Sequence, residues 1–221
     1  MIHPDTELRY INDKIGYGVV ATKKIPKGTI TWTLDKLDRI FSPKEIATMS
    51  PTFQQIMDKY TYRNPHGNYV FCWDNARYIN HSSNANCITT AYEFEIAIRD
   101  IEPGEELTDD YGYLNLEEPF EVLPEPGTNR TVVYPDDLIR YYAIWDDKLL
   151  QAFPHLLKVD QPLFPLLDPA TAEKARQIAS GNMKMDSILN CYYKNGNKKE
   201  TNGKDVPDLT IRSPYVVYPA T

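Results

Sequence analysis

Three polar stretches hold residues whose types and spacing could do chemistry. Gly16-Tyr17-Gly18 brackets an aromatic with two residues that tolerate positive φ, which a tight turn requires and which lets backbone approach another molecule closely. Asn80-His81-Ser82-Ser83-Asn84-Ala85-Asn86 groups amides, hydroxyls and one imidazole between Arg77-Tyr78-Ile79 and Cys87-Ile88. Such residues bind polar groups well, and they also make ordinary turns. Gly104 to Gly112 carries Glu105, Glu106, Asp109 and Asp110 around a single tyrosine, Tyr111, and by itself reads as a solvated turn and a strand. The three cysteines, Cys72, Cys87 and Cys191, are widely spaced without a C-x-x-C pair. They form no all-cysteine zinc site and read as buried free thiols of a reducing compartment.

Short strands and turns must position these stretches. Ile15 to Val20 is a glycine turn running into a β-branched strand, and Ile25 to Ile30 is a second turn feeding a second strand. A helical insert at about 42–60 follows, its first helix opened by Ser42-Pro43-Lys44-Glu45, a capping box with proline at the first helical position. Ser50-Pro51 opens the second helix, where Phe53, Ile56, Met57 and Tyr60 fall at helical spacing and mark a buried face. Asn68 to Trp73 and Ile88 to Arg99 read as strands, and Glu102-Pro103-Gly104 as a turn. Pro135 opens a helix to about Phe153 with Leu138, Tyr142, Leu149 and Leu150 as its apolar positions. Asp168-Pro169 caps another that stops before Gly181, residues 160–167 read as extended, and Lys194 to Asp208 as an exposed polar loop. The organisation expected is a domain over 1–118 and an extension over 119–221, helical and then loop-rich, packed on it.

Composition narrows the function classes. With 42% hydrophobic and 25% charged residues the chain reads as one ordinary globular core. No run approaches the roughly 18 apolar residues of a membrane span, and the first residues lack a secretory pattern, so an intracellular, cytoplasmic or nuclear, location is expected. The formal charge of −7 argues against direct nucleic acid binding and suits a basic partner.

Order and spacing add more than any single stretch. Taken together the three resemble the SET-domain family of protein-lysine methyltransferases, whose members carry G-x-G, then R-F-x-N-H-S-C-x-P-N, then G-E-E-L-x-x-D-Y-G. The counterparts here are Gly16 to Gly18, Arg77 to Asn86, and Gly104 to Gly112; Tyr60-Thr61-Tyr62-Arg63 is similar to the family's upstream aromatic stretch. The resemblance covers residues 7 to 116. It implies a mostly β fold of small curled sheets with a knot-like core, a β-clip with flanking helices. It further implies S-adenosylmethionine as cofactor and a lysine-bearing, basic protein or peptide, histone-like, as substrate. Carried residue by residue, it assigns Gly16, Tyr17, Gly18, Tyr60, Tyr78, Asn80, His81 and Tyr111 to the cofactor, with Tyr111 as the catalytic tyrosine. Either Tyr60 or Tyr62 reaches the cofactor carboxylate or lines the lysine channel. Tyr62, Asp109, Phe120 and Trp145 are the further channel candidates.

The chemistry implied by the resemblance suits these residue types. A sulfonium methyl is already electrophilic, so the protein's task is to align a neutral amine with it. Free lysine has a pKa of about 10.4, and a narrow apolar channel beside a positive charge favours its uncharged form. Departures from the family are also visible. Glu117 to Arg130 contains no cysteine, so the zinc cluster that many relatives place after D-Y-G is absent and no metal is expected. Phe120 with the aromatic stretch Tyr134 to Trp145 is the candidate lid, although those aromatics also suit plain helix packing. Ser83 and Ala85 stand where relatives have cysteine and proline. Asp109 stands where many relatives carry Phe or Tyr. It either turns away among Glu105, Glu106 and Asp110, leaving its place to Tyr62, or sits at the channel rim to attract a basic segment; the first is favoured, because a buried carboxylate beside the amine opposes the reaction. A SET-like module without turnover and a β-clip protein that binds no nucleotide are the competing readings.

Overall fold

The structure, a computed structural model, describes residues 1–194. Beyond its first residue, Lys194, the polar loop expected to Asp208 lies outside the described residues. Strands dominate the first 133 residues. In chain order they are β1 (Thr6–Asn12), β2 (Gly16–Ala21), β3 (Ile30–Thr33) and β4 (Arg39–Phe41), then helices α1 (Pro43–Ala47) and α2 (Pro51–Tyr60). There follow β5 (Thr61–Arg63), β6 (Tyr69–Phe71), β7 (Asn80–His81), β8 (Cys87–Thr89), β9 (Phe94–Ala97), β10 (Thr108–Asp109), β11 (Phe120–Glu121) and β12 (Val132–Val133). Helices α3 (Asp137–Ala152) and α4 (Pro169–Ala179) complete the described chain.

The strands pair into small sheets: β1–β2, β4–β6–β5, β3–β9–β8 and β11–β12 are antiparallel, while β7–β10 is parallel. The mostly β, SET-type small-sheet architecture with a helical C-terminal part is therefore present. The parallel pair matters most, because it sets Thr108 opposite Asn80 and Asp109 opposite His81. Asn86 reinforces it: its side-chain oxygen accepts from Thr108 N at 2.9 Å and its amide donates to the Glu106 carbonyl at 2.8 Å.

Two apolar clusters anchor these elements. Val19, Ala21, Ile25, Ile79, Cys87, Ile101 and Leu107 pack behind the motif segments. The larger cluster lays one face of β3–β9–β8, through Ile30, Ile88, Phe94 and Ile96, against Leu138, Trp145, Leu149 and Phe153 of the helical extension. Each such side chain contributes about 1.5–3 kcal/mol on burial, so the extension and the sheet stabilise one another. Gln161 joins them by hydrogen bonds too, accepting from Ile30 N at 2.9 Å and donating to Gly28 O at 2.7 Å. Gly28 must stay a glycine there: its φ is +92° and a Cβ would lie 2.5 Å from the His155 Cβ.

Both helix starts of the insert match the sequence, including the capping box of Ser42 and Glu45. The face of α2 does not. Met57 is 6% exposed, whereas Phe53 is 60% and Ile56 38% exposed. The reason is topological: α2 packs on α1 and the narrow β6, so only one position of its apolar stripe finds cover. On α3, Leu138 and Leu149 are buried with Trp145 and Ala152, while Leu150 turns off that face and Tyr142 lies on its rim. The expected strand Ile88 to Arg99 is a hairpin, Cys87–Thr89 with Phe94–Ala97, and the expected extended segment 160–167 contains a 3-10 turn at Phe164–Leu166.

Candidate active site

Asn80 and His81 reach their places because β7 is only two residues long and is clamped on both sides. Ser82 N donates to the Asp109 carbonyl at 2.9 Å, and Tyr111 N donates to His81 Nδ1 at 3.1 Å. That second bond makes Nδ1 an acceptor, so a neutral imidazole carries its proton on Nε2. Burial, with Arg130 nearby, pushes the His81 pKa down to about 4, in keeping with a neutral ring. The Tyr111 hydroxyl donates to the Ile79 carbonyl at 2.6 Å, so both ends of Tyr111 are fixed to the Ile79-Asn80-His81 strand.

The glycine turn joins the same cluster. Gly16 takes φ +79° and starts β2. Gly18 faces two side chains, since a Cβ there would lie 2.2 Å from Glu106 Oε1 and 2.9 Å from Asn80 Nδ2. The glycine thus makes room for this chain's own polar pair. Asn80 Nδ2 donates to the Tyr17 carbonyl at 3.0 Å and to Glu106 Oε1 at 2.6 Å. Burial raises the Glu106 pKa against the opposing bond from Asn80. Glu106 has no ion-pair partner among the described residues. Carbonyl, amide and under-compensated carboxylate together form a place suited to an ammonium group.

The acidic motif is not a solvated turn, because each acid takes a different partner. Glu105 pairs with Arg99, Glu106 with Asn80, and Asp110 with Arg130. Asp109 is 4% exposed and turns inward, to the Tyr113 hydroxyl at 3.0 Å. It therefore does turn away, but toward Tyr113 and not among Glu105, Glu106 and Asp110. The cause is strand alternation: on β10, Thr108 and Asp109 must point to opposite faces.

Over the other side lies the segment that follows D-Y-G. The Phe120 ring sits edge-on to His81 with centroids 5.5 Å apart and tilts against Tyr111 at 6.0 Å. Beyond it, the Glu125 carboxylate accepts from Ser82 Oγ at 2.7 Å, Ser83 N at 3.3 Å and Asn84 N at 3.1 Å. Asn84 Nδ2 returns a bond to the Pro126 carbonyl at 2.5 Å. Arg130 then bridges Asp110 and Asp137 at the start of α3. This hairpin closes over the Asn80-to-Asn84 segment through both side-chain and backbone hydrogen bonds. Among the described residues no group of three or more His, Cys, Asp or Glu could hold a metal ion.

The remaining sequence candidates lie apart. Tyr60 and Tyr78 form an edge-on pair with centroids 5.4 Å apart, just before the Asn80 strand. Tyr62 packs edge-on against Trp32 at 5.9 Å. Tyr17 is exposed beside Tyr10. Trp145 does not lid the site: it is 4% exposed and stacks edge-on with Tyr113 and Tyr141 inside the core shared with the sheet. Of the expected lid, Phe120 alone meets the His81 and Tyr111 rings. Tyr113, Glu125 and Arg130 were not singled out from sequence. Their partners are 3 to 43 residues away along the chain, and only Tyr113, two residues after Tyr111, carried a local signal.

With this geometry in place, the comparison with known families is direct: the family model described as SET domain matches residues 16–112. Over those residues the chain is similar to the SET domain. No curated protein matches it. No helix among the described residues is long and apolar enough to cross a membrane.

Proposed function

We propose that the chain transfers a methyl group from S-adenosylmethionine to the side-chain amine of a lysine in a basic protein substrate. The observation that carries this reading is Tyr111, pinned at its amide to His81 and at its hydroxyl to the Ile79 carbonyl, under the Phe120 ring. A hydroxyl held in that way, on a residue whose ring meets those of His81 and Phe120, suits a group that must stay fixed while an amine and a methyl are aligned.

The residues present fit the cofactor. Glu106, Asn80 and the Tyr17 carbonyl would hold its ammonium, Gly18 leaves the space they need, and the His81 and Phe120 rings offer apolar contact. When bound, S-adenosylmethionine supplies an activated methyl group on a positively charged sulfur. This chain's residues supply position. Neutral His81 adds no competing positive charge and fixes Tyr111, and the His81 and Phe120 rings offer an apolar surface beside which an entering lysine would be favoured in its uncharged form. The net charge of −7 supports a basic substrate segment.

Incubation with labelled S-adenosylmethionine and core histones tests the reading. Transfer to lysine is expected, and Tyr111→Phe should lower turnover by about 10², a transition-state loss of about 2.7 kcal/mol, with cofactor affinity within a few-fold. Normal turnover in that variant would make Tyr111 a packing residue. Cofactor binding without transfer to any basic protein would instead mark a binding module.

A further inference from the structure

Arg130 packs against the back of the Tyr111 bend. Its guanidinium reaches Asp110 Oδ2 and Asp137 Oδ2, each at 2.5 Å, and lies over the Tyr141 ring of α3, 5.2 Å from the ring centroid. A Cβ on Gly112 would lie 2.5 Å from the same guanidinium and 3.0 Å from the Asp137 Cβ. The glycine of the D-Y-G motif is thus the space that Arg130 occupies. One cation serves two carboxylates here, and both acids are buried.

Asp110 has two further neighbours. Its Oδ1 accepts from Gly112 N at 3.0 Å, which caps the short turn Tyr111–Tyr113, and lies 3.9 Å from His81 Nδ1. That ring nitrogen is the one that accepts from Tyr111 N at 3.1 Å. The Asp110 carboxylate therefore stands between the guanidinium that neutralises it and an imidazole that an unanswered carboxylate would draw into its protonated form. An imidazolium carries N–H at both nitrogens and cannot accept from Tyr111.

We propose that Arg130 is a positioning residue for Tyr111: it holds Asp110 as the cap of the Tyr111–Tyr113 turn and answers its charge, which leaves the His81 ring free to accept from the Tyr111 amide. The consequence for turnover rests on the proposed methyl transfer; the consequence for His81 and the Tyr111 amide does not.

The surroundings support this assignment. The ionisable groups that face His81 are Asp110 on the Tyr111 segment, and Arg130 and Glu125 on the hairpin. Its other neighbours are the Ser83 hydroxyl and the Tyr111 and Phe120 rings. Burial first, then Arg130, holds His81 down, against Glu125. Burial pushes Asp110 up, and Arg130 works against that push. Without the guanidinium, a proton entering the Asp110–His81 pair goes to the imidazole, whose ordinary pKa of about 6.5 exceeds the carboxyl's of about 3.9. The His81 value then rises, and the bond from Tyr111 is lost as the pH falls through it.

Arg130→Met keeps an apolar arm and removes the charge; adding Asp110→Asn removes the carboxylate and keeps an oxygen for the cap. His81 is titrated through its ring protons by NMR, and exchange of the Tyr111 amide, corrected for intrinsic rates, is measured at pH 6, both in the full chain. His81 of the unmodified protein is expected to titrate at about 4. Arg130→Met should raise that value by at least about one unit and cost the Tyr111 amide at least tenfold in protection. The double variant should restore both. That rescue separates positioning from plain stabilisation, because cutting a second member of a purely structural bridge restores nothing. If Arg130→Met leaves the buried acids too exposed to one another to fold, Arg130→Lys is read instead. A single ammonium lacks the fork that serves two carboxylates, so the same displacement is expected in smaller measure. On core histones, the ratio of kcat at pH 6 to kcat at pH 8 should fall at least tenfold in Arg130→Met and recover in the double variant. An unmoved His81 in the folded single variant, or a double variant no better than the single one, would overturn the proposal. Absence of methyl transfer from every form would remove the proposed reaction, and the titration would still decide the role of Arg130.

Discussion

Replacing Glu125 with alanine probes whether the hairpin after Gly112 orders the Asn80 segment. The carboxylate accepts three bonds from consecutive residues, Ser82 Oγ at 2.7 Å, Ser83 N at 3.3 Å and Asn84 N at 3.1 Å. Charge-assisted bonds contribute about 1.5–3 kcal/mol each in favourable settings, but Glu125 is half-buried and water replaces part of what is lost. The two longer bonds are also weak ones. A total near 1–2 kcal/mol is therefore reasonable for the closed hairpin. Phe120 and Arg130 remain to hold the hairpin, so the global fold should lose less, a midpoint shift of about 2–4 °C. If the closed hairpin is what makes the cofactor site, about 1.4 kcal/mol of loosening weakens S-adenosylmethionine binding about tenfold. Titration calorimetry of the unmodified protein and Glu125→Ala, with a melting curve for each, measures both quantities. Affinity within twofold in a folded variant would refute the ordering role. Tighter binding would show that the carboxylate obstructs the site.

Two further outcomes follow from the same geometry. Asn80→Ala breaks the bonds to the Tyr17 carbonyl and Glu106, and should weaken S-adenosylmethionine binding at least tenfold, about 1.4 kcal/mol, by calorimetry; unchanged affinity would move the ammonium site elsewhere. Trp145→Ala removes a buried indole from the core shared by the sheet and α3, and should cost about 3–5 kcal/mol in urea unfolding while leaving cofactor affinity unchanged in the folded protein; a selective loss of affinity would return Trp145 to the site.

How much of this was legible in the sequence depends on the range over which each feature is specified. Capping boxes, glycine turns and proline starts are local, and Ser42-Pro43, Gly16 and Asp168-Pro169 are found where their residue types require them. The pairing of Asn80-His81 with Thr108-Asp109 is not local, and it was anticipated only through the family resemblance. Burial failed where topology overrode periodicity. Phe53 and Ile56 keep perfect helical spacing with Met57, yet α2 meets too narrow a partner to cover them.

The site shows the same limit in its electrostatics. A run of Glu105, Glu106, Asp109 and Asp110 looks solvated when charge is merely counted along the chain. In the fold the run is dispersed, because a two-residue strand followed by a 3-10 turn aims successive side chains in different directions. Arg99 and Arg130 answer two of the charges, Asn80 a third, and the fourth accepts from the Tyr113 hydroxyl. The partner that Asp109 takes in the interior, the Tyr113 hydroxyl, is uncharged, and no pattern of opposite charges could have pointed to it. An aspartate in place of an aromatic near the proposed reactive centre is thus best understood through what lies behind it. In the proposed reaction a carboxylate facing the amine would hold the amine charged, whereas one turned inward to the Tyr113 hydroxyl keeps its charge away from it.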